Sequence, residues 1–320
     1  MYPQTGGLLY FRFFLVKKLS FTKPATTYEE QICLLQKRGM VINDVKNACL
    51  YLTHINYYRL GAYWLPFEKD RVTHDFRVGT NFETVIDLYN FDRELRLLVT
   101  DALERIEISM RTQWTYHMAN NHGAHSHLSK ELADNEKRYL KNLESMKKEV
   151  DRANEVFISH SKNTYEEQLP AIWVVSEVIS LGVLSKLYSN LRPMPTRRAI
   201  AKAWGLDQKT LGSWLHHLTH VRNICAHHSR LWNREFINIP MLPKNKPLAL
   251  VGEFVQGSRK LYNTLVIVLH CMDIIAPKHK LKQKLKILLD NPNIHLAAMD
   301  FPGDWQSRAL WQKKSRQTNL

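Results

Sequence analysis

The chain has 320 residues, of which 44% are hydrophobic and eight are tryptophan, a composition that excludes an intrinsically disordered protein. Lys and Arg outnumber Asp and Glu by 45 to 30, which gives a formal net charge of +15. This excess of positive charge indicates a polyanionic partner, and nucleic acid is the first candidate and an anionic membrane surface the second. The alternative is that the charge serves solubility alone.

The first 20 residues are expected to be an N-terminal extension outside the folded domain. Their apolar run is interrupted by Arg12, its charges follow the run, and no small-residue cleavage site comes after it, so it makes a poor signal peptide. A single domain is expected over residues 21–320. Its first helix is predicted after Thr26 and Thr27, ahead of an acidic turn, with Gly39 at the C-terminal end.

An aromatic cluster follows in the second and third predicted helices. It favours core packing, and the alternative is a surface on which bases stack. The cluster comprises Tyr57, Tyr58, Tyr63, Trp64 and Phe67.

A long helical segment is predicted to begin near Asn81, because Thr80 and Glu83 match a capping box. Residues 83–119 contain no glycine or proline, and their apolar residues recur at helical spacing. The segment predicts one very long helix or two helices with a break. The charged residues from Asp92 to Arg111 alternate in sign, which is typical of a salt-bridged outer face.

The remaining chain also predicts helices. Residues 120–168 favour a loop and then a solvated helix, and residues 169–191 one apolar helix with Pro170 in its first turn. Further helices are predicted after Pro193, over 207–232, over 258–275 and over 278–289. With no repeat and no series of strands, the predicted class is all-α: a multi-helix bundle with long helices and few or no strands.

The stretch VRNICAHHSR, residues 221–230, carries the main candidate site. Asn223 and His227 are i,i+4 neighbours on a helix, so the amide can orient the imidazole. Arg222 lies about 140° around the helix from His227, from where a long side chain can lean towards the same groove. The spacing alone is weak, because chance produces as many such Arg–His pairs in this composition.

These residue types suit RNA cleavage without a metal. An imidazole with a pKa near 6.5 can take the proton from a ribose 2′-hydroxyl. A guanidinium can hold the phosphate and the charge that develops on it.

Six stretches together make the chain resemble the Abi-like (AbiD/AbiF-type) family of bacterial abortive-infection proteins, within the HEPN superfamily. The resemblance covers about residues 20–312. The stretches are FTKPATTYEEQ, LTHINYYRLGAYWLPF, LYNFDRELRLLVTDALERIEISMRTQWTYH, LPAIWVVSEVISLGVLS, VRNICAHHSRLWNR and MDFPGDWQSRALW.

The resemblance implies a HEPN-like all-α fold, often dimeric, and in many members metal-independent RNase activity. The implied motif is an arginine, a polar residue next to it and a histidine four to six residues on, which Arg222, Asn223 and His227 match. His228 also satisfies the spacing, so either histidine can be the acting one.

The resemblance further implies that two such motifs face each other across a dimer. The second motif would come from another copy of Arg222 and His227, or from Arg111 with His117. A helix-surface arginine is the alternative for Arg111.

Glu177 lies in an otherwise apolar helix, which leaves two interpretations. It is either a buried carboxylate paired with Arg222 or part of a wet stripe with Ser176 and Ser180.

Two other readings of the motif region concern a metal and a nucleophile. His216, His217 and His220 lie close to the motif, but neither an HExxH pattern nor paired cysteines appear, so no metal site and no cofactor are expected. Cys225 is predicted to be a core residue in an apolar stripe rather than a nucleophile.

The basic segment near 278–289 is expected either to contact RNA phosphate without sequence preference or to be the solvated face of a packed helix. The lysines concerned are Lys278, Lys280, Lys282 and Lys284.

The primary hypothesis is a cytoplasmic phage-defence effector that cleaves RNA by 2′-hydroxyl transesterification. Its expected partners are RNA and a second copy of the chain, and whether an antitoxin or a small RNA is a further partner stays open. The alternative is a non-catalytic RNA-binding or toxin–antitoxin-like regulatory protein, and a metallohydrolase is third. The four cysteines are widely spaced, which favours free thiols in a reducing compartment. No run approaches 18 apolar residues, so no membrane partner is expected.

Overall fold

The computed structural model describes residue 20 and residues 22–244 and 247–312. The expected extension over residues 1–20 therefore lies, except for Ser20, outside the described residues. Fourteen α-helices occur in this part: α1 (Tyr28–Lys37), α2 (Val45–His54), α3 (Tyr57–Trp64), α4 (Phe82–His122), α5 (Glu136–Arg152), α6 (Val156–Thr164), α7 (Ile172–Val178), α8 (Leu181–Ser189), α9 (Met194–Lys202), α10 (Gln208–Ala226), α11 (Leu248–Val251), α12 (Leu261–Ile275), α13 (Leu281–Leu289) and α14 (Ala309–Gln312).

Short 3₁₀ turns and isolated β-bridges complete the secondary structure of the described residues, which contain no strand. The 3₁₀ turns are Leu65–Phe67, Ser126–Leu128, Lys130–Leu132, Leu296–Met299 and Trp305–Ser307. The bridges pair Val41 with Asn81, Glu68 with Phe76 and Ala133 with Leu191. The predicted all-α class is confirmed.

Two compact units make up the chain, one ending at Phe82 and the other beginning at Glu83. The single domain expected over 21–320 stays a prediction, since two compact units can fold together as one domain.

The first unit begins with a helix whose ends match the sequence signals. Thr27 and Glu30 form a capping box at the start of α1, in which each side chain binds the other residue's backbone N–H. Gly39 has a φ of 90° just after the helix, a conformation that glycine adopts without strain. Both predicted ends of this helix are confirmed.

The aromatic cluster of the first unit divides between core and surface. Tyr63 and Trp64 are buried, and the ring of Tyr57 meets that of Trp64 edge to face at 4.8 Å. Tyr58 is 79% exposed. The core interpretation therefore holds for Tyr63 and Trp64, while Tyr58 faces solvent.

Helix α4 is one continuous helix of 41 residues, about 62 Å long at 1.5 Å per residue. Five of its nine charged residues from Asp92 to Arg111 are exposed, in line with the predicted outer face, and the other four are partly or fully covered. Asp92, Arg96 and Glu107 are buried. Alternating charges predict an exposed face only where no other element covers the helix, and here the buried groups find ion-pair or hydrogen-bond partners.

The single apolar helix predicted over residues 169–191 is wrong: the structure has α7 and α8, separated at Ile179 and Ser180. The Ser180 hydroxyl accepts the N–H of Val183 at 3.4 Å and thereby caps α8. The Glu149 carboxylate accepts the Ser180 N–H at 2.7 Å and its hydroxyl at 2.9 Å. This carboxylate from α5 stabilises the break.

Helix α10 ends at Ala226, whereas the sequence predicted a helix to residue 232. His228 has a φ of 54°. Its N–H donates to the Cys225 carbonyl at 3.0 Å, and the Ser229 N–H donates to the Ile224 carbonyl at 2.9 Å. These two bonds form a Schellman motif, which stops a helix by turning one residue into the left-handed region.

The C-terminal part surrounds α12, most of whose residues are buried. An aromatic cluster of Tyr262, Phe301, Trp305 and Trp311 packs beside it. Phe301, Trp305 and Trp311 all come from the closing stretch MDFPGDWQSRALW, which therefore completes the core of the second unit.

Candidate functional site

Arg222 lines a polar cavity of about 740 Å³ in the second unit. Helices α4, α5, α7 and α10 contribute side chains to its wall. The charged residues of the lining are Glu107, Arg111, Glu149, Arg152, Glu155, Glu177 and Arg222. We call this space the arginine cavity, because its three guanidinium groups are the groups that could bind a phosphate.

One buried carboxylate joins two of these arginines. Glu107 Oε1 lies 2.7 Å from Arg111 Nη2, and Glu107 Oε2 lies 3.8 Å from Arg222 Nε. The side chain of Glu107 is only 10% exposed. The negative charge of this carboxylate therefore lies beside one arginine of α4 and one arginine of α10 in the cavity wall.

Arg111 is held by the break between α7 and α8. Its Nη1 donates to the Glu177 carbonyl and its Nη2 to the Ile179 carbonyl, each at 2.9 Å. The C-terminal carbonyls of a helix have no partner within the helix, and a cation there also meets the negative end of the helix dipole. Arg111 on α4 thus donates hydrogen bonds to carbonyl groups at the end of α7 and connects the two helices.

Arg222 is less constrained than Arg111. Its 3.8 Å separation from Glu107 is longer than a hydrogen bond, and its side chain is 43% exposed. The guanidinium is oriented by the buried carboxylate while donors stay accessible from the cavity. This is the arrangement that an incoming anion requires.

The motif histidines lie at the end of α10. His227, His228 and Asn223 are all exposed, and the N–H of His227 donates to the Asn223 carbonyl at 3.0 Å. His227 is the C-terminal cap residue and His228 the left-handed residue of the Schellman motif. Both imidazoles are thus presented to solvent by a fixed backbone turn, and neither is among the described residues of the cavity wall.

Hydrogen bonds connect the turn after the histidines to α4. Asp92 Oδ1 accepts the N–H of Leu231 at 3.0 Å and that of Trp232 at 2.6 Å. The same carboxylate forms an ion pair with Arg96, four residues later on α4. This buried pair fixes the segment that follows His228.

His117 does not accompany Arg111 in the cavity. It lies six residues after Arg111, about 240° around α4 at 100° per residue, and its ring meets that of Tyr116 edge to face at 5.2 Å. Partial burial lowers its pKa from the usual 6.5. The assignment of Arg111 and His117 as a second half-site stays a prediction, and the bonds of Arg111 show a structural role.

Glu177 lines the cavity with an exposed side chain, so the interpretation as a buried carboxylate is wrong. Its backbone carbonyl is what binds Arg111. The buried carboxylate near Arg222 is Glu107, which the sequence did not single out. The i,i+4 spacing of Glu107 and Arg111 on α4 was the signal that could have found it.

Of the histidines upstream of the motif, His216 is exposed and His217 belongs to the core. His217 is buried, with Nδ1 at 2.6 Å from the Asn238 carbonyl oxygen and Nε2 at 2.8 Å from the Thr264 hydroxyl. Both ring nitrogens are thus occupied, and burial lowers the pKa of His217 to about 4. In the described part of the chain no group of three or more His, Cys, Asp or Glu side chains is placed to hold a metal ion.

The two cysteines of the second unit are core residues. Burial raises the pKa of Cys225 to about 11 and also raises that of Cys271. A thiol with a raised pKa is a poor nucleophile, so the prediction of Cys225 as a core residue is confirmed.

The basic segment comprises α13 and the residues just before it, and its lysines differ in exposure. Lys278, Lys280 and Lys284 are exposed. Lys282 is buried, with Nζ at 3.5 Å from Asp273 Oδ2. A buried ammonium paired with a carboxylate does not fit a phosphate contact, so Lys282 departs from the expectation for this group.

Among the described helices, none is both long enough and apolar enough to cross a membrane.

The model of a family described as Abi-like protein matches residues 50–233. This range is more than half of the chain and contains Asp92, Glu107, Arg111, Arg222 and both motif histidines. Comparison with curated proteins and with solved structures gives no match. The chain therefore belongs to the Abi-like protein family.

Proposed function

We propose that the chain is an abortive-infection effector of phage defence that cleaves RNA in the cytoplasm without a metal ion. Membership of the Abi-like family supports the defence role. The observation that carries the chemistry is the state of Arg222. Its side chain is 43% exposed, lies 3.8 Å from the buried carboxylate of Glu107 and lines a polar cavity, and the helix that carries it is followed directly by two exposed histidines.

In the proposed reaction, His227 or His228 takes the proton from a ribose 2′-hydroxyl. The 2′-oxygen attacks the adjacent phosphorus, and Arg222 stabilises the charge on the phosphoryl oxygens. The bond to the 5′-oxygen breaks, and a protonated imidazole gives that oxygen a proton. The products are a 2′,3′-cyclic phosphate and a free 5′-hydroxyl, and Asn223 orients the imidazole.

The geometry of α10 favours a site that two copies complete. Arg222 and His227 lie about 140° apart around the helix axis and about 7.5 Å apart along it. A second motif supplied by another copy of the chain would provide the second imidazole that acid–base catalysis needs. The homodimer, and restraint by an antitoxin or small RNA, are parts of this proposal.

The test is incubation of the purified protein with labelled total RNA in EDTA. We expect cleavage that leaves 2′,3′-cyclic phosphate ends, and loss of cleavage in Arg222→Ala and in either His227→Ala or His228→Ala. The matched controls are Arg198→Ala, an exposed arginine on α9, and His216→Ala, an exposed histidine on α10. Cleavage that survives in Arg222→Ala would show the assignment to be wrong.

A second function, RNA binding without cleavage, is supported by the formal net charge of +15. The three arginines of the cavity share its wall with four glutamates, Glu107, Glu149, Glu155 and Glu177. This compensation weakens the field that would stabilise a transition state. Salt-sensitive RNA binding without product in the same assay would select this regulatory role.

A further inference from the structure

A second cavity lies beside the arginine cavity, between α6, α7 and the turn after α4. Its volume is about 410 Å³, within the range of about 300–1,000 Å³ that is typical of small-molecule sites. Its wall is mainly apolar and aromatic. The residues used below are His125, Phe157, His160, Tyr165, Trp173 and Val174, and we call the space the aromatic pocket.

The aromatic pocket and the arginine cavity share Phe157 in their walls. They also share helix α7, on which Trp173 and Val174 line the first space and Glu177 and Val178 the second. Four residues of helix correspond to about 6 Å. A ligand that occupies the arginine cavity therefore needs to extend by only one helical turn to reach the aromatic pocket.

Three large aromatic residues around the pocket stay accessible to solvent. Phe157 is 40% exposed, Tyr165 60% and Trp173 50%. The ring of His160 meets that of Tyr165 edge to face at 6.5 Å. Exposed aromatic faces grouped at one pocket are typical of sites where the bases of a single strand stack.

The polar groups of the pocket suit a base better than an aliphatic chain. His125 and His160 offer ring nitrogens that can donate or accept a hydrogen bond at a base edge. Lys162 and Glu167 also line the pocket, and the ammonium of Lys162 forms a solvent-exposed ion pair with Asp151 at 2.9 Å. The pocket thus carries stacking surface and hydrogen-bonding groups, while the guanidinium groups next to it carry the charge.

We propose that the aromatic pocket binds one nucleobase of an RNA strand whose neighbouring phosphate lies against Arg222. This subsite rests on the proposed function, because it assumes that the arginine cavity holds RNA phosphate. The pocket would hold the base next to that phosphate by stacking it between Phe157 and either Trp173 or Tyr165.

The test uses binding, so that it does not depend on cleavage. The probe is a fluorescein-labelled octanucleotide with 2′-fluoro sugars, which has no 2′-hydroxyl to attack the phosphate. A matched series lacks the base at one position at a time. We expect loss of one particular base to weaken binding to the wild-type protein about tenfold, within the range that stacking contributes.

The Trp173→Ala variant is expected to bind the complete octanucleotide about tenfold more weakly and to show no further loss with the abasic probes. Trp173→Phe retains a ring and should restore the dependence on the base. Ile237→Ala, which removes an apolar residue that is 79% exposed after the motif, should behave as wild type. Equal base dependence in wild type and Trp173→Ala would overturn the subsite.

The Arg222→Ala variant separates the subsite from the site on which it rests. If the phosphate assignment is right, this variant binds all probes more weakly, with or without the base. If Arg222→Ala binds as wild type while the base dependence persists, the aromatic pocket stands and the phosphate assignment falls. Absence of RNA binding by the wild-type protein would overturn both.

Discussion

Asp92 Oδ1 accepts the backbone N–H of Trp232 at 2.6 Å across 140 residues of chain. The carboxylate is fully buried, it also accepts the N–H of Leu231, and it forms an ion pair with Arg96. A carboxylate that accepts several backbone N–H groups is a strong anchor, because charge-assisted hydrogen bonds are about twice as strong as neutral ones. The anchor determines where the chain goes after His228.

Asp92→Asn should therefore destabilise the protein by about 3 kcal/mol, because a neutral amide removes the negative charge that Asp92 places beside the buried guanidinium of Arg96. Urea unfolding of the variant and wild type measures the difference. Asp101→Asn, an exposed carboxylate on the same helix that pairs with Arg105, is the control and should change stability by less than about 1 kcal/mol. Equal effects of the two substitutions would contradict the anchoring role.

Arg111→Met tests whether Arg111 holds the break between α7 and α8. The variant leaves the carbonyls of Glu177 and Ile179 and the carboxylate of Glu107 without this donor, so we expect a loss of about 3 kcal/mol in urea unfolding. Adding Glu107→Gln removes the uncompensated charge and should recover part of the loss. A stability equal to that of wild type would instead favour Arg111 as a free RNA contact.

His228 occupies a left-handed position that glycine usually fills. His228→Gly should be more stable than His228→Ala by about 1 kcal/mol, since both lack the imidazole and only alanine retains the backbone strain. Thermal unfolding of the two variants measures this difference. If His228 acts in cleavage, both variants are inactive in spite of their different stabilities. Equal melting temperatures would mean that the turn relaxes in the variants.

The buried His217 predicts a dependence of stability on pH. Its pKa is lowered from 6.5 to about 4 in the folded protein, so between these values the unfolded chain binds more protons. The free energy of unfolding should fall as the pH decreases from 6.5 to about 4, by up to about 1.4 kcal/mol per pH unit from this group. In His217→Gln the slope should decrease by that amount, as measured by urea unfolding at pH 5 and pH 7. An unchanged slope would mean that groups other than His217 cause the dependence of stability on pH.

His127 should add to the same acid sensitivity. Burial lowers its pKa to about 4 as well, so the wild-type slope below pH 6.5 should exceed the contribution of His217 alone. A residual slope in His217→Gln is therefore expected and does not contradict the assignment.

The lysines in and just before α13 allow RNA contact to be tested separately from stability. Replacing Lys278, Lys280 and Lys284 by alanine should lower the slope of log affinity for RNA against log salt by about 2 to 3, if each neutralises one phosphate. Lys282→Ala should leave that slope unchanged and reduce stability, because it removes one of the two partners, Lys282 and His279, that contact Asp273. Titrations at several salt concentrations measure the slopes. Identical slopes for the triple variant and wild type would leave these lysines as a solvated face.

Local signals predicted much of the fold. The capping box, the glycine at the end of α1 and the uninterrupted periodicity of α4 act within a few residues, so they can be seen in the sequence. The break between α7 and α8 could not be seen in this way. The carboxylate that stabilises it, Glu149, lies 31 residues before Ser180, and the apolar pattern runs through both helices without interruption.

The candidate site shows the same division between local and distant contacts. The motif residues Arg222 and His227 can be recognised from the stretches around them rather than from their spacing, and the apolar stripe predicts Cys225 as a core residue. Glu107 resembles one member of an exposed charge series until α10 covers it. Its i,i+4 spacing to Arg111 is visible in the sequence, but its burial depends on a distant element and is not.

The distribution of the thiols has a practical consequence for following this protein in solution. Cys33 on α1 is exposed and Cys49 on α2 is half-buried, while Cys225 and Cys271 are buried and have raised pKa values. A maleimide dye at neutral pH should therefore attach first to α1, where the wild-type sequence already provides the reactive group. Fluorescence anisotropy from that position would report RNA binding without any substitution near Arg222.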